Sequence, residues 1–202
     1  ESSLDAVEWA SELTRFRDLE RGDALGTGAF LTWTAPEAGR LRLGYILKPR
    51  TRGPRIPTGR NDVDCVVNAN VLRGLADAGL NRTEGFEDAC RYLNQVTANQ
   101  RFDTCGLYYP NTYYFHLAVS HAYRSGAACL ESSRTALLRH LIGTQRSDGH
   151  WRNSAGREDD LHATLMAVNA LLNFAATSGA EVPPEVREAI RSGTDWMISR
   201  AE

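Results

Sequence analysis

Gln145-Arg146-Ser147-Asp148-Gly149-His150-Trp151 is a polar turn between two segments of opposite character. Before it, Leu130 to Thr144 is amphipathic, and after it Asp160 to Ala176 is nearly continuously apolar until Gly179. Both read as helices, one with a solvated face and one that needs burial on most sides. The unit is therefore an outer helix, a Gly-x-aromatic turn and an inner helix that stops at glycine.

Working outward, the same unit recurs. Leu4 to Leu19 carries Leu4, Val7, Ala10, Leu13 and Phe16 near the helical period, and breakers lead to Gly28-Ala29-Phe30. Gly85 to Asn99 repeats the spacing with Phe86, Ala89, Cys90, Leu93 and Val96, followed by Gly106-Leu107-Tyr108. Apolar helices run from Asp64 to Ala78, ending at Gly79, and from Asn111 to Tyr123, closed by Gly126. Pro183 and Pro184 open a last helix, Glu185 to Arg200. Inner helices starting at Asp64, Asn111 and Asp160 recur about every 48 residues, within the range of helical-pair repeats. The expected fold is all-α, an αα-repeat stacked as a partial (α/α) toroid in one domain, 1–202, whose inner helix N-termini turn toward a shared cavity. The Pro-, Gly- and Arg-rich stretch 36–60 reads as a long irregular insertion.

With 202 residues, 42% hydrophobic and 24% charged, the chain can bury a sizeable core, and no stretch approaches a membrane-spanning length. A net charge of -2 and scattered basic residues give no footprint for nucleic acid. Cys65, Cys90, Cys105 and Cys129 show no CxxC spacing and sit in apolar patterns, which predicts reduced, buried thiols in a cytoplasmic protein. Nothing resembling a signal peptide follows Glu1, so the chain is either trimmed or part of a longer one.

The chemistry concentrates in Gly59 to Leu72, where Asp62, Asp64, Cys65, Asn68 and Asn70 crowd the opening turns of an apolar helix. Burying an unpaired carboxylate costs several kcal/mol, roughly, unless it is protonated, hydrogen-bonded or metal-bound. Asp64 is thus either a helix N-cap or a carboxyl held protonated by an apolar cavity, able to deliver a proton. Asn68 and Asn70 cannot both face outward, so at least one lines the cavity or bonds a neighbouring backbone. On the Asn111 helix, Tyr113, His116, Ser120 and Tyr123 share one face, either as plain core or as a cavity wall whose rings stabilise a cation by roughly 0.5 to 2 kcal/mol each.

The run Leu137-Leu138-Arg139-His140-Leu141 leading to Gln145, Asp148, Gly149 and Trp151 resembles the QW repeat of squalene-hopene and oxidosqualene cyclases. Weaker copies stand at Gln100-Gly106-Tyr108 and Gly28-Phe30. Asp62-Val63-Asp64-Cys65 is similar to that family's acid motifs, Asp-x-Asp-Asp and Asp-Cys. The resemblance implies a class II terpene cyclase-like enzyme, an isomerase or lyase without a cofactor. Asp64 would be the proton donor, Asp62 and Cys65 would orient it, and Asn68, Tyr113, His116, Ser120 and His162 would contact an isoprenoid or similar hydrophobic substrate.

Asp159-Asp160-Leu161-His162 also resembles, with Gln145 to Gly149, the zinc-histidine repeat of protein prenyltransferase β subunits. That likeness implies Asp64, Cys65 and His162 as zinc ligands. The alternative of another class is a non-catalytic repeat that binds a hydrophobic ligand or a partner chain. The expected partner is a hydrophobic small molecule, no nucleic acid, with peripheral membrane contact and homo-oligomerisation both left open.

Overall fold

The computed structural model describes residues 5–19, 26–33, 62–109, 111–153, 160–177 and 182–200. The helices are α1 (Ala6–Thr14), α2 (Cys65–Asp77), α3 (Phe86–Ala98), α4 (Phe102–Cys105), α5 (Tyr113–Arg124), α6 (Glu131–Thr144), α7 (Asp160–Ala176) and α8 (Pro184–Ile198), with a 3-10 turn at Ala128–Leu130. No strand occurs among the described residues, and extended pairing is limited to an isolated bridge between Arg17 and Phe30. The protein is all-α. The 36–60 insertion, Asn61, Asp159 and Gly179 lie outside the described residues.

Helices α2, α5 and α7 pack side by side, and α3, α6 and α8 pack behind them in the same order. The three inner helices run parallel. Tyr114 meets His162 near the starts of α5 and α7, with ring centroids 5.5 Å apart, while Arg124 Nη1 donates to Asn173 Oδ1 at 2.9 Å near their ends. Helix α2 ends with Leu80 N donating to Leu75 O at 2.8 Å, and α5 with Ala127 N donating to Ala122 O at 3.0 Å. Both closures wrap around the glycines, Gly79 and Gly126, at which the apolar patterns stop. The short α4 was not legible, because a single turn that runs straight into Gly106 is too short to show a helical period.

The first helix is shorter than its pattern of Leu4 to Leu19. Beyond Arg15 the chain turns extended, and Leu31 N donates to Phe16 O and Asp18 N to Ala29 O, each at 2.8 Å. Arg17, whose side chain is 5% exposed, holds this turn: it donates to the Gly28 carbonyl at 2.9 Å and pairs with Glu84 and Asp88 of the next repeat. Backbone groups of Phe16 and Asp18 that bond the segment from Ala29 to Leu31 cannot also continue the helix.

The Gln145 to Trp151 turn ties α6, α7 and α8. Gln145 Nε2 donates to the Gly149 carbonyl at 2.8 Å and to the Ala189 carbonyl of α8 at 2.9 Å. The fully buried Trp151 donates from Nε1 to Leu141 O at 2.8 Å, satisfying a carbonyl in the last turn of α6. Its ring lies on Gly193 of α8, where an added Cβ would come within 2.7 Å of the indole. Gly149, at φ +99°, sits against α8 so closely that a Cβ would be 2.3 Å from the Ser192 carbonyl oxygen. Trp151→Ala should therefore lower unfolding free energy by about 3 to 5 kcal/mol, the usual cost of emptying a buried Trp site. Denaturant titration checks this, and a loss below about 1 kcal/mol would mean the three helices are held together elsewhere.

The inner helices are not buried all round. Leu161, Leu165 and Leu172, at 40%, 48% and 46% exposure, form a bare stripe on α7, and Tyr114, Leu117 and His121 continue it half-buried on α5. On α2 the same side carries Val67, Asn70 and Val71. This side points away from the outer layer, and Asn70 and His121 interrupt its apolar side chains.

Candidate acid site at the head of the first inner helix

Asp64 caps α2. Its Oδ1 accepts from Val66 N at 2.8 Å and Val67 N at 3.0 Å, and its own backbone N–H donates to Thr32 Oγ1 at 3.0 Å. Capping fixes the carboxyl against the first turn, where free N–H groups need an acceptor. Yet this cap has no solvent exposure, and Oδ2 has no hydrogen-bond partner. Burial pushes the Asp64 pKa up, against the backbone N–H groups of Val67, Val66, Leu107 and Tyr108, which pull it down. The last two act from nearby without reaching Oδ2 in hydrogen-bond geometry. The capping reading holds, and the capping carboxyl is itself buried, with one oxygen satisfied and the other without a partner.

Asp62 lies beside it. Its Oδ2 accepts a short hydrogen bond from the Tyr108 hydroxyl, and its Oδ1 is buried without a partner. Its carbonyl accepts from Thr32 N at 2.8 Å and Thr32 Oγ1 at 3.0 Å, so one threonine sets the backbone of both aspartates. Trp33 Nε1 donates to the Tyr108 oxygen at 3.2 Å, and the two rings meet edge to face at 5.4 Å. Tyr92 donates to the Val63 carbonyl at 2.9 Å. Burial, then the negative charge of Asp64, pushes the Tyr92 hydroxyl up to about 12, and the same two causes raise Tyr109. Tyr109 lies tilted against Tyr114 at 5.2 Å, and Tyr114 meets His162 edge to face, so an aromatic arc runs from the acid across the inner helix starts.

Cys65 is not a thiol. It is bonded to Cys105, with Cα atoms 5.4 Å apart, and Cys90 is bonded to Cys129, at 6.0 Å. The reading of four reduced cysteines is corrected by the stacking. Partners 40 and 39 residues apart stand less than one repeat from each other, and stacking repeats brings them face to face. One bridge joins the inner layer and the other the outer. Cys65 consequently cannot orient Asp64 as a free thiol, nor ligate zinc with Asp64 and His162, since its sulfur is already bonded. Its bridge instead pins the strip Cys105 to Tyr109 over Asp64.

The other expected contacts divide. Asn68 is fully buried and grips the backbone of Phe30, accepting from its N and donating to its O, both at 2.9 Å, so it is a structural tie. Tyr113, His116 and Ser120 do share a face, but it is the packed one, with His116 and Ser120 fully buried. Ser120 accepts from Asn173 at 3.1 Å, while His116 Nε2 meets His140 Nδ1 at 2.9 Å. His162 alone of the non-acidic set reaches the aromatic arc. Thr32, Trp33, Tyr92, Tyr109 and Tyr114 were missed. For Tyr108 the signal was the weak Gly106-Leu107-Tyr108 copy of the turn, which marks it as a repeat aromatic without showing that it turns onto an aspartate.

Comparison with models of known protein families, with characterised proteins and with solved structures gives no match for this chain. Among the described residues no helix is long and apolar enough to cross a membrane.

Proposed function

We propose that the protein is a class II terpene cyclase-like enzyme in which Asp64 protonates an isoprenoid or similar hydrophobic substrate. The observation that carries this reading is the division of labour within one buried carboxyl. Oδ1 is held by two amides, so the proton of the neutral acid belongs on Oδ2, which is bare. The amides stabilise the carboxylate that remains after transfer, and burial favours the neutral acid before it. Transfer from Oδ2 to an alkene carbon leaves a carbocation, for which Tyr108, Tyr109 and Trp33 are the neighbouring rings able to stabilise it. Asp62 holds the Tyr108 ring through its hydroxyl and is a positioning residue. The strip Leu107 to Tyr109 covers the carboxyl, so substrate entry requires that strip to shift.

The test is incubation with squalene and with shorter polyprenyl substrates, with and without EDTA, followed by product chromatography. Cyclic product insensitive to EDTA supports acid catalysis. Stabilisation of the protein by these compounds without turnover favours the second reading, a non-catalytic module that binds hydrophobic ligands, for which the bare stripe Leu161, Leu165 and Leu172 speaks. The two disulfides support residence in an oxidising compartment rather than the reducing cytoplasm.

A further inference from the structure

A cleft of about 540 Å³ that includes none of the acid-site residues opens between the end of α6, the start of α5 and the residues after Trp151. Asp103, Thr112, Tyr113, His140, Arg146 and Arg152 line it. Asp103 accepts from the Thr112 hydroxyl, whereas Arg146 and Arg152 are exposed and make no ion pair among the described residues. Two unpaired guanidinium groups at one concavity are matched to a planar or tetrahedral oxyanion, which they can hold by paired N–H donors.

Beneath them lies the imidazole pair. His116 Nδ1 is 3.3 Å from the Thr112 carbonyl, which can only accept, so the proton of neutral His116 sits on Nδ1 and its Nε2 accepts. His140 must then donate from Nδ1 across the 2.9 Å contact. That leaves His140 Nε2 as a lone pair and its only nitrogen available to a ligand. Burial holds both rings below the usual histidine range, His116 at about 3, with Asp103 acting to raise His140. Around His140 the charged and titratable groups are Asp103 from α4, Tyr113 and His116 from α5, Arg146 beyond its own helix end and Arg152 from the following segment. The α6 C-terminal end itself disfavours an anion, with only Leu141 O of its last carbonyls taken, by Trp151, so the two guanidinium groups must outweigh it.

We propose that this cleft is a second binding site, taking the phosphoryl or carboxyl group of a small ligand between Arg146 and Arg152, with His140 picking up a proton to become the third donor. A neutral His140 presents a lone pair to the anion and a protonated one presents N–H, so binding and proton uptake are linked. The His116 contact fixes which nitrogen responds.

Isothermal titration of the intact protein with sulfate, and separately with acetate, tests this, because neither probe changes charge between about pH 6 and about pH 7.5. Saturable one-to-one binding is expected, weaker at the higher pH by up to about thirtyfold, the limit for one linked proton over that interval. In two buffers of different ionisation heat, close to one proton should be taken up at the higher pH. Preference for sulfate over acetate assigns a phosphoryl ligand and the reverse a carboxylate. Arg146→Ala with Arg152→Ala should weaken binding by about tenfold or more while circular dichroism stays unchanged. His140→Gln should keep weak binding and abolish proton uptake. The proposal is overturned if the folded protein binds neither anion, if the double arginine variant binds unchanged, or if proton uptake survives in His140→Gln.

Discussion

Asp64→Asn should remove cyclisation, lowering the rate by roughly 10²- to 10⁴-fold, the usual contribution of a positioned proton donor, with the fold kept. The amide oxygen can still accept from Val66 and Val67, so the cap survives, whereas Asp64→Ala loses it and about 1 kcal/mol with it. The same substitution should change the pH dependence of stability. An acid whose pKa is raised in the folded state binds its proton more tightly there than in the unfolded chain. Its ionisation therefore costs nothing below the unfolded value of about 3.9 and a growing amount as pH climbs to the folded value. The difference in unfolding free energy, wild type minus Asp64→Asn, should fall across that window and then level off. A flat difference would show that the carboxyl is solvated, and unchanged turnover in Asp64→Asn would falsify the acid mechanism.

Removing the two disulfides should have the largest effect on stability. Each closes about 40 residues, and the chain-entropy account gives about 4 kcal/mol for a loop of that size. Together they rival the 5 to 15 kcal/mol total, roughly, of an ordinary domain. The loops interleave, so Cys65→Ser with Cys105→Ser and Cys90→Ser with Cys129→Ser should lose less in combination than the sum of the two pairs. Urea titration of the pairs and of the quadruple variant measures this. The inner pair should also shift the Asp64 window described above, because the strip Cys105 to Tyr109 that dries the carboxyl is no longer pinned, and the outer pair should leave it in place. Equal effects on that window would mean the bridge does not govern the burial of Asp64.

The helices were legible because polarity repeats and breakers report directly on which side of a helix meets water. The Gln145 to Trp151 turn was legible as the joint between an outer and an inner helix, but its bonds were not, with the indole N–H satisfying the end of α6 and the glutamine reaching Gly149 and α8. The phase of the α5 face was not. Tyr113, His116 and Ser120 follow the helical period, and so do Tyr114, Leu117 and His121 one residue later. Spacing selects a face without saying which neighbour it meets. On α5 the polar His116 went inward because His140 of α6 was there to receive it. The acid at Asp64 could be read from local crowding, but its tyrosine surroundings come from distant residues, Tyr108 bonding Asp62 across 46 positions of chain. The disulfides were hidden for a related reason, since their pairing depends on repeat stacking rather than on local spacing.

The bridges from 65 to 105 and from 90 to 129 overlap, so the first begins and ends before the second but encloses its start. Every peptide bond between residues 65 and 129 therefore lies inside at least one closed loop. A single cut anywhere in that span leaves the two pieces covalently joined, and between 90 and 105 they are joined twice. The first repeat, with its candidate acid, cannot be parted from the second by one scission, and a nicked molecule can still hold Asp64 beneath the strip that Cys105 anchors.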